Sequence, residues 1–128
     1  MSSTFPGKFD LLNVYRGDTF NLDIVYNTAT AWDSSGNPTA WSVVNMTGGT
    51  LLAQVRDGTA YNANLLTTFT IANYVPASGS FTLHLDPSTL ATATWTSAYY
   101  DVQFTDSNGN VQTIIYGAFD LTDDVSHP

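Results

Sequence analysis

The chain reads as all-β: an immunoglobulin-like antiparallel β-sandwich of about 7–8 strands, with one short helix over residues 86–92. Three observations predict this. The first is residue choice. All eleven acidic residues are Asp, the basic ones are only Lys8, Arg16 and Arg56, and Thr, Tyr, Val and Phe are plentiful. Glu and Lys are good helix formers, whereas β-branched and aromatic residues suit a pleated surface. The second is alternation, cleanest in Phe20-Asn21-Leu22-Asp23-Ile24-Val25-Tyr26, which puts Phe20, Leu22 and Ile24 on one face. The third is the end of the chain. There Tyr99 to Thr105 and Val111 to Leu121 flank Asp106-Ser107-Asn108-Gly109-Asn110, a strong hairpin signal.

In chain order, residues 1–7 are expected to be a polar, flexible N-terminal arm and residues 8–128 a single sandwich domain. A first strand covers 8–15 and ends in a tight corner at Arg16-Gly17-Asp18. The alternating run at 20–26 is the second strand. Residues 27–49 form a long loop of small polar residues that holds Trp32 and Trp41, with room for a short strand within 40–46. Loops of that length in compact domains are usually functional or partly structured. Further strands are expected at 50–57, 65–71 and 80–85, with a loop at 58–64. Asp86 as N-cap and Pro87 at the first helical position predict a turn or two of helix before Tyr99. Asp33-Ser34-Ser35-Gly36-Asn37 echoes residues 106–110, and turn chemistry alone explains the echo.

The terminal hairpin has two registers. A two-residue Asn108-Gly109 turn pairs Val102 with Ile115. A type I turn from Asp106 to Gly109, closed by a G1 bulge, pairs Val102 with Ile114. We favour the second. A one-residue slip exchanges the two faces of a strand. The first register leaves Ile114 and Tyr116 off the core face; the second leaves Val111 and Ile115 there.

Composition excludes several functions. Charged residues make up 11% of the chain, against a usual value of about 25%, and the net charge is −8. Three scattered basic residues cannot form the patch that a phosphate backbone or an anionic membrane requires, so neither nucleic acid nor membrane is an expected partner. No run approaches a membrane span, and the first residues lack the basic and apolar regions of a signal peptide. Without cysteine there is no disulfide, thiol nucleophile or zinc-thiolate site.

Candidate chemistry is sparse, and no catalytic, cofactor-binding or metal-binding residue is assigned. His84 alternates with Leu83 and Leu85, as a partly buried strand histidine does, and His127 lies at the solvated end. Two histidines without matching Asp spacing do not make a zinc site, and no Gly-x-Ser-x-Gly elbow supports a serine nucleophile. The Asp- and Asn-rich loops at 33–37 and 106–110 begin like calcium loops, and Asp123-Asp124 could join a surface site. There is no Glu to close such a loop, and Asx turns explain the composition. Arg16-Gly17-Asp18 reads as a glycine corner between solvated charges. Asn45-Met46-Thr47 is a glycosylation sequon that matters only in a eukaryotic secretory pathway.

The order of features resembles a known group. Tyr15-Arg16-Gly17-Asp18 closes an early strand, and Met46-Thr47-Gly48 precedes a strand that ends in Arg56. Tyr100-Asp101-Val102, Asn108-Gly109-Asn110 and Gly117-Ala118-Phe119-Asp120-Leu121 follow. This series, which spans most of the chain, is similar to small β-sandwich modules of tailed-bacteriophage virions, in particular the N-terminal domain of phage baseplate upper proteins. The extended stretch at 27–49 departs from that pattern. The resemblance implies a structural role in a virion and no reaction. The expected protein is a non-catalytic assembly adaptor at the tail tip, baseplate or fibre attachment site, located in the virion and assembled in the host bacterial cytoplasm. Its expected partners are other virion proteins and copies of itself, as a trimer or ring. A capsid decoration protein and a carbohydrate-binding module stacking sugars on Trp32 or Trp41 are the alternatives. Expected contact residues are Trp32, Trp41 and Tyr61 in the loops. On the terminal hairpin they are Val111, Ile114, Ile115 and Tyr116.

Overall fold

A computed structural model describes residues 7–123. Of the arm expected at 1–7, only Gly7 is among them, and it belongs to a strand. Residues 124–128, with Asp124 and His127, lie outside the described residues.

The strands are β1 (Gly7–Lys8), β2 (Leu11–Tyr15), β3 (Phe20–Val25), β4 (Asn27–Trp32), β5 (Pro38–Val43) and β6 (Thr50–Arg56). They continue with β7 (Leu65–Thr68), β8 (Thr70–Val75), β9 (Ser80–Leu85), β10 (Ser97–Thr105) and β11 (Val111–Thr122), and α1 spans Pro87–Ala91. One sheet has the order β1-β11-β10-β6-β7, with β2 also on the β11 edge; the other has the order β3-β9-β8. This is the strand arrangement of an immunoglobulin-like sandwich, with β6, β10 and β11 facing β3, β9 and β8. All pairs are antiparallel except β1 and β2, which run parallel to β11. Besides the eight sandwich strands there are the two-residue β1 and a separate two-stranded sheet, β4-β5, where sequence had suggested a loop.

Local chemistry explains most boundaries. The expected first strand breaks at Phe9 and Asp10, because the Asp10 carboxylate turns in to accept from the Ala118 N–H at 2.9 Å. Asn13 then adopts φ 59°, so Leu11 and Val14, three residues apart, both turn toward the core. The extended run at 65–71 does not stay in one sheet. It crosses between sheets at Phe69, whose N–H donates to the Ala53 carbonyl, so β7 pairs with β6 and β8 with β9. The Asp86 backbone is extended and Pro87 opens α1 as expected, but the Asp86 side chain does not cap the helix. It bonds His84 Nε2 at 2.9 Å instead.

The core joins the sheets through rings. Phe69 lies 5.7 Å from Phe20, 5.9 Å from Phe119 and 6.1 Å from Tyr100, and Trp95 packs edge-on to Phe119 at 5.4 Å. Met46, Leu83, Leu90, Val55 and Val102 are among the other side chains buried with them. With the inner faces filled, the outer face of the larger sheet and the β4-β5 ribbon remain for other contacts.

Candidate functional site

The ribbon is built by continuing β3 beyond the sandwich. Its base is held at Tyr26, whose N–H donates to Gly79 O and whose carbonyl accepts from Val44 N–H, both at 2.8 Å. Its tip is an Asx-stabilised turn: Asp33 Oδ1 accepts from Ser35 and Asn37 N–H at 2.9 Å each, and Gly36 takes φ 84°. Beyond Tyr26 and Ala29 little of the ribbon is buried. β4 and β5 pack mainly on each other, and all six β5 residues are exposed. Trp41 is 58% exposed; Trp32 is half-buried opposite Pro38. Among the described residues the outer edge of β5 pairs with nothing. That edge carries Pro38 but no charge, so it lacks most of the devices that keep sheet edges from pairing. A cleft of about 480 Å³ opens at the ribbon's base, lined by Ile24, Tyr26, Trp41, Ile114 and Ile115 among others.

The second surface is the outer face of the larger sheet, a groove of about 830 Å³. Tyr99 and Tyr116 stand in it beside Leu52, and Asp101 lies between them with Arg56, Lys8 and Asp10 at the margins. Burial pushes the Asp101 carboxyl above its ordinary range, and the nearby Arg56 guanidinium opposes that shift. Arg56 itself donates to Ala63 O and Gln54 Oε1, at 2.9 and 3.0 Å. Asp57 accepts from Asn64 N–H and Nδ2 at 2.9 Å each. These bonds brace the 57–64 loop, which holds Tyr61 fully out of the protein.

The terminal hairpin combines features of both registers. Its loop is the favoured type I turn: Asp106 N–H donates to Asn110 O, Gly109 N–H donates to Asp106 O, and Gly109 takes φ 86°. A bulge between Val102 and Gln103 then shifts the ladder, so Val102 pairs with Ile115 and not with Ile114. Ile114 is the extra residue and faces the core at 1% exposure, as the favoured register expects, while Ile115 is half-buried against it and Tyr116 beyond the bulge turns outward. Ile114 therefore cannot be a surface contact, and Ile115 is only partly available at the cleft. Val111 and Tyr116 remain exposed, on the loop end and the outer face respectively.

Sequence reasoning did not single out Tyr99, Leu52, Asp101 or Arg56. The signal was present: each is one step out of phase with Ala53, Val55, Tyr100 or Val102, the inward residues of the same strands.

The remaining candidates have structural work. His84 engages Asn21 and Asp86 through its two ring nitrogens. Arg16 is mostly buried and bonds Asp123, Ala93 O and Trp95 O, so the Arg16-Gly17-Asp18 corner does not present its arginine. Asp33 and Asp106 each accept backbone N–H bonds from their own turns. Among the described residues no group of three His or Asp side chains converges as a metal site. No family model matches the chain, and no curated protein matches it as a relative. What the two surfaces offer chemically is association: an open strand edge and a face of tyrosines.

Proposed function

We propose that this chain is a non-catalytic structural protein of a tailed-phage virion, an assembly adaptor at the tail tip, baseplate or fibre attachment site. It docks to neighbouring virion proteins through the β4-β5 ribbon. The observation that carries the reading is β5, six exposed residues with an uncharged edge and a tryptophan at 58% exposure. A lone two-stranded ribbon is marginally stable in water, and a strand or groove supplied by a neighbour would complete it. The resemblance of the chain's motif order to baseplate modules supports the same assignment, and with it assembly in the host cytoplasm.

The test is incorporation. Residues 30–41 are replaced by a short turn that leaves the buried Ala29 in place, and Trp41→Ala is made separately. Both variants should fold, because β5 adds little to the core, and both should be absent from assembled particles seen by immunogold imaging. Particles that take up the ribbon-deleted chain normally would sink the proposal. Trp41 also favours a second reading, a carbohydrate-binding module with that ring as the stacking platform. Glycan-array binding lost in Trp41→Ala would support it.

A further inference from the structure

We infer that the outer face of the larger sheet is a dimer interface, filled by the same face of a second copy about a two-fold axis parallel to the strands. The strand register decides which groups meet. Lys8, Tyr116, Asp101 and Gln54 form one row across β1, β11, β10 and β6. The next row is Asp10, Ala118, Tyr99 and Arg56, with Asp10 placed beside Ala118 by their 2.9 Å hydrogen bond. An axis lying between β10 and β11 reverses each row onto itself. Ala118 then meets Tyr99 of the second copy, a small side chain against a large one. Tyr116 meets Asp101 of the second copy, a hydroxyl donor against a carboxylate. Arg56 directs its own hydrogen bonds to Ala63 and Gln54, so Asp101 keeps its acceptor capacity for that donor. Arg56 meets Asp10 of the second copy, whose Oδ2 has Lys8 of its own chain 3.9 Å away and whose Oδ1 holds the Ala118 N–H, so the ion pair, formed twice in the dimer, adds to these contacts.

Such self-complementarity is what a two-fold interface requires. Net charge selects the partner as well. The face carries Lys8, Arg56, Asp10 and Asp101, two of each sign, so the excess charge of −8 lies elsewhere. Two copies approaching by the acid-bearing surfaces meet like charge, whereas this face lets them meet without net repulsion. Interface cores are enriched in aromatic residues and depleted of charge, which fits Tyr99 and Tyr116 within this face and Lys8, Arg56 and Asp10 at its margins. The 57–64 loop follows β6, so the same axis lays Tyr61 over the β1 edge of the second copy.

The experiment uses two complementary variants of the full chain, Arg56→Glu and Asp10→Lys; because Asp10→Lys also removes the acceptor of the Ala118 N–H, its far-UV spectrum is first shown to match that of the natural chain. Within one chain these positions lie three strand spacings apart, about 14 Å, so they do not pair internally. Each variant alone sets like charges opposite each other twice and should weaken dimerisation by at least about 100-fold. An equimolar mixture restores both pairs as a heterodimer. Sedimentation equilibrium should give twice 13.8 kDa for the natural chain, 13.8 kDa for each variant, and twice 13.8 kDa again for the mixture. Tyr116→Glu, at a position 42% exposed, sets a carboxylate against Asp101 of the second copy and should also give single chains with an unchanged far-UV spectrum. A natural chain that stays monomeric at about 1 mM, or that forms a trimer or larger ring, overturns the inference. So do variants that dimerise unaided, or folded variants that fail to recombine. None of these substitutions touches β4 or β5, so such results leave the ribbon proposal standing.

Discussion

Replacing Phe69 by Ala should remove the joint between the two sheets. Phe69 is 3% exposed and sits where the chain leaves one sheet for the other. Its ring is within about 6 Å of three others, Phe20, Phe119 and Tyr100, drawn from both sheets. Truncation of a buried Phe costs about 3–5 kcal/mol, and the spread reflects how far the site collapses. Here the walls are rings fixed on opposing strands, so collapse is limited and about 4 kcal/mol is expected. An unfolding entropy of about 2.1 cal/mol/K per residue gives about 0.27 kcal/mol/K for this chain. The melting temperature should therefore fall by about 15 °C. Phe69→Leu keeps most of the apolar volume but loses the ring pairs, worth about 0.5–1.5 kcal/mol each. Partial replacement by aliphatic contacts leaves a loss of about 2 kcal/mol, or about 7 °C. Scanning calorimetry of the two variants checks both numbers. A fall of less than about 4 °C for the alanine variant, roughly 1 kcal/mol, would refute the reasoning.

Gly117→Ala should shift the β1–β2 segment off the β11 edge, since an added Cβ would lie 2.2 Å from the Phe9 carbonyl oxygen and 2.7 Å from its carbon. A loss of about 1–3 kcal/mol and faster amide exchange in β2 are expected. Arg16→Ala should cost about 1.5–3 kcal/mol in urea unfolding, because it strips the Ala93 and Trp95 carbonyls of a charged donor. Arg16→Lys should recover little of that, lacking the planar fork. The acid limb of stability should carry two opposite signs. Backbone N–H donors, Asn110 foremost, hold the Asp106 carboxyl below its ordinary range. Its anion therefore favours the fold above the unfolded-state value, and that benefit is lost as pH falls through the depressed folded value. Asp101, raised by burial, is a burden above its raised folded value and is relieved as pH falls through it. Melting curves across acidic pH should thus show Asp106→Asn below the natural chain and Asp101→Asn above it at neutral pH, both gaps closing in acid.

Much of the fold was readable because its causes are local. The matching turns at 33–37 and 106–110 follow from an Asp accepting two N–H groups with Gly four residues into the loop, chemistry that spans five residues. Alternation placed Phe20, Leu22 and Ile24 against the core, and Pro87 opened the helix where expected. The candidate site was less readable. Trp41, Tyr61, Val111 and Tyr116 are exposed as the composition of their segments suggested, but Ile114 is buried. A correct turn did not yield the pairing beyond it, because a bulge several residues away resets the register.

The all-β class, most of the strand positions and the turn types are properties of short windows, where side-chain period and backbone preference act on neighbours. Which sheet each strand joins is settled by residues far apart in the chain: Asp10 with Ala118, Arg16 with Asp123, Phe69 with Phe20 and Phe119. The same long-range packing leaves β5 without a core behind it and gathers Tyr99, Tyr116, Asp101 and Arg56 onto one face. Burial is a sum over partners that no window of the chain contains, so these surfaces exist only once the two sheets have closed on each other.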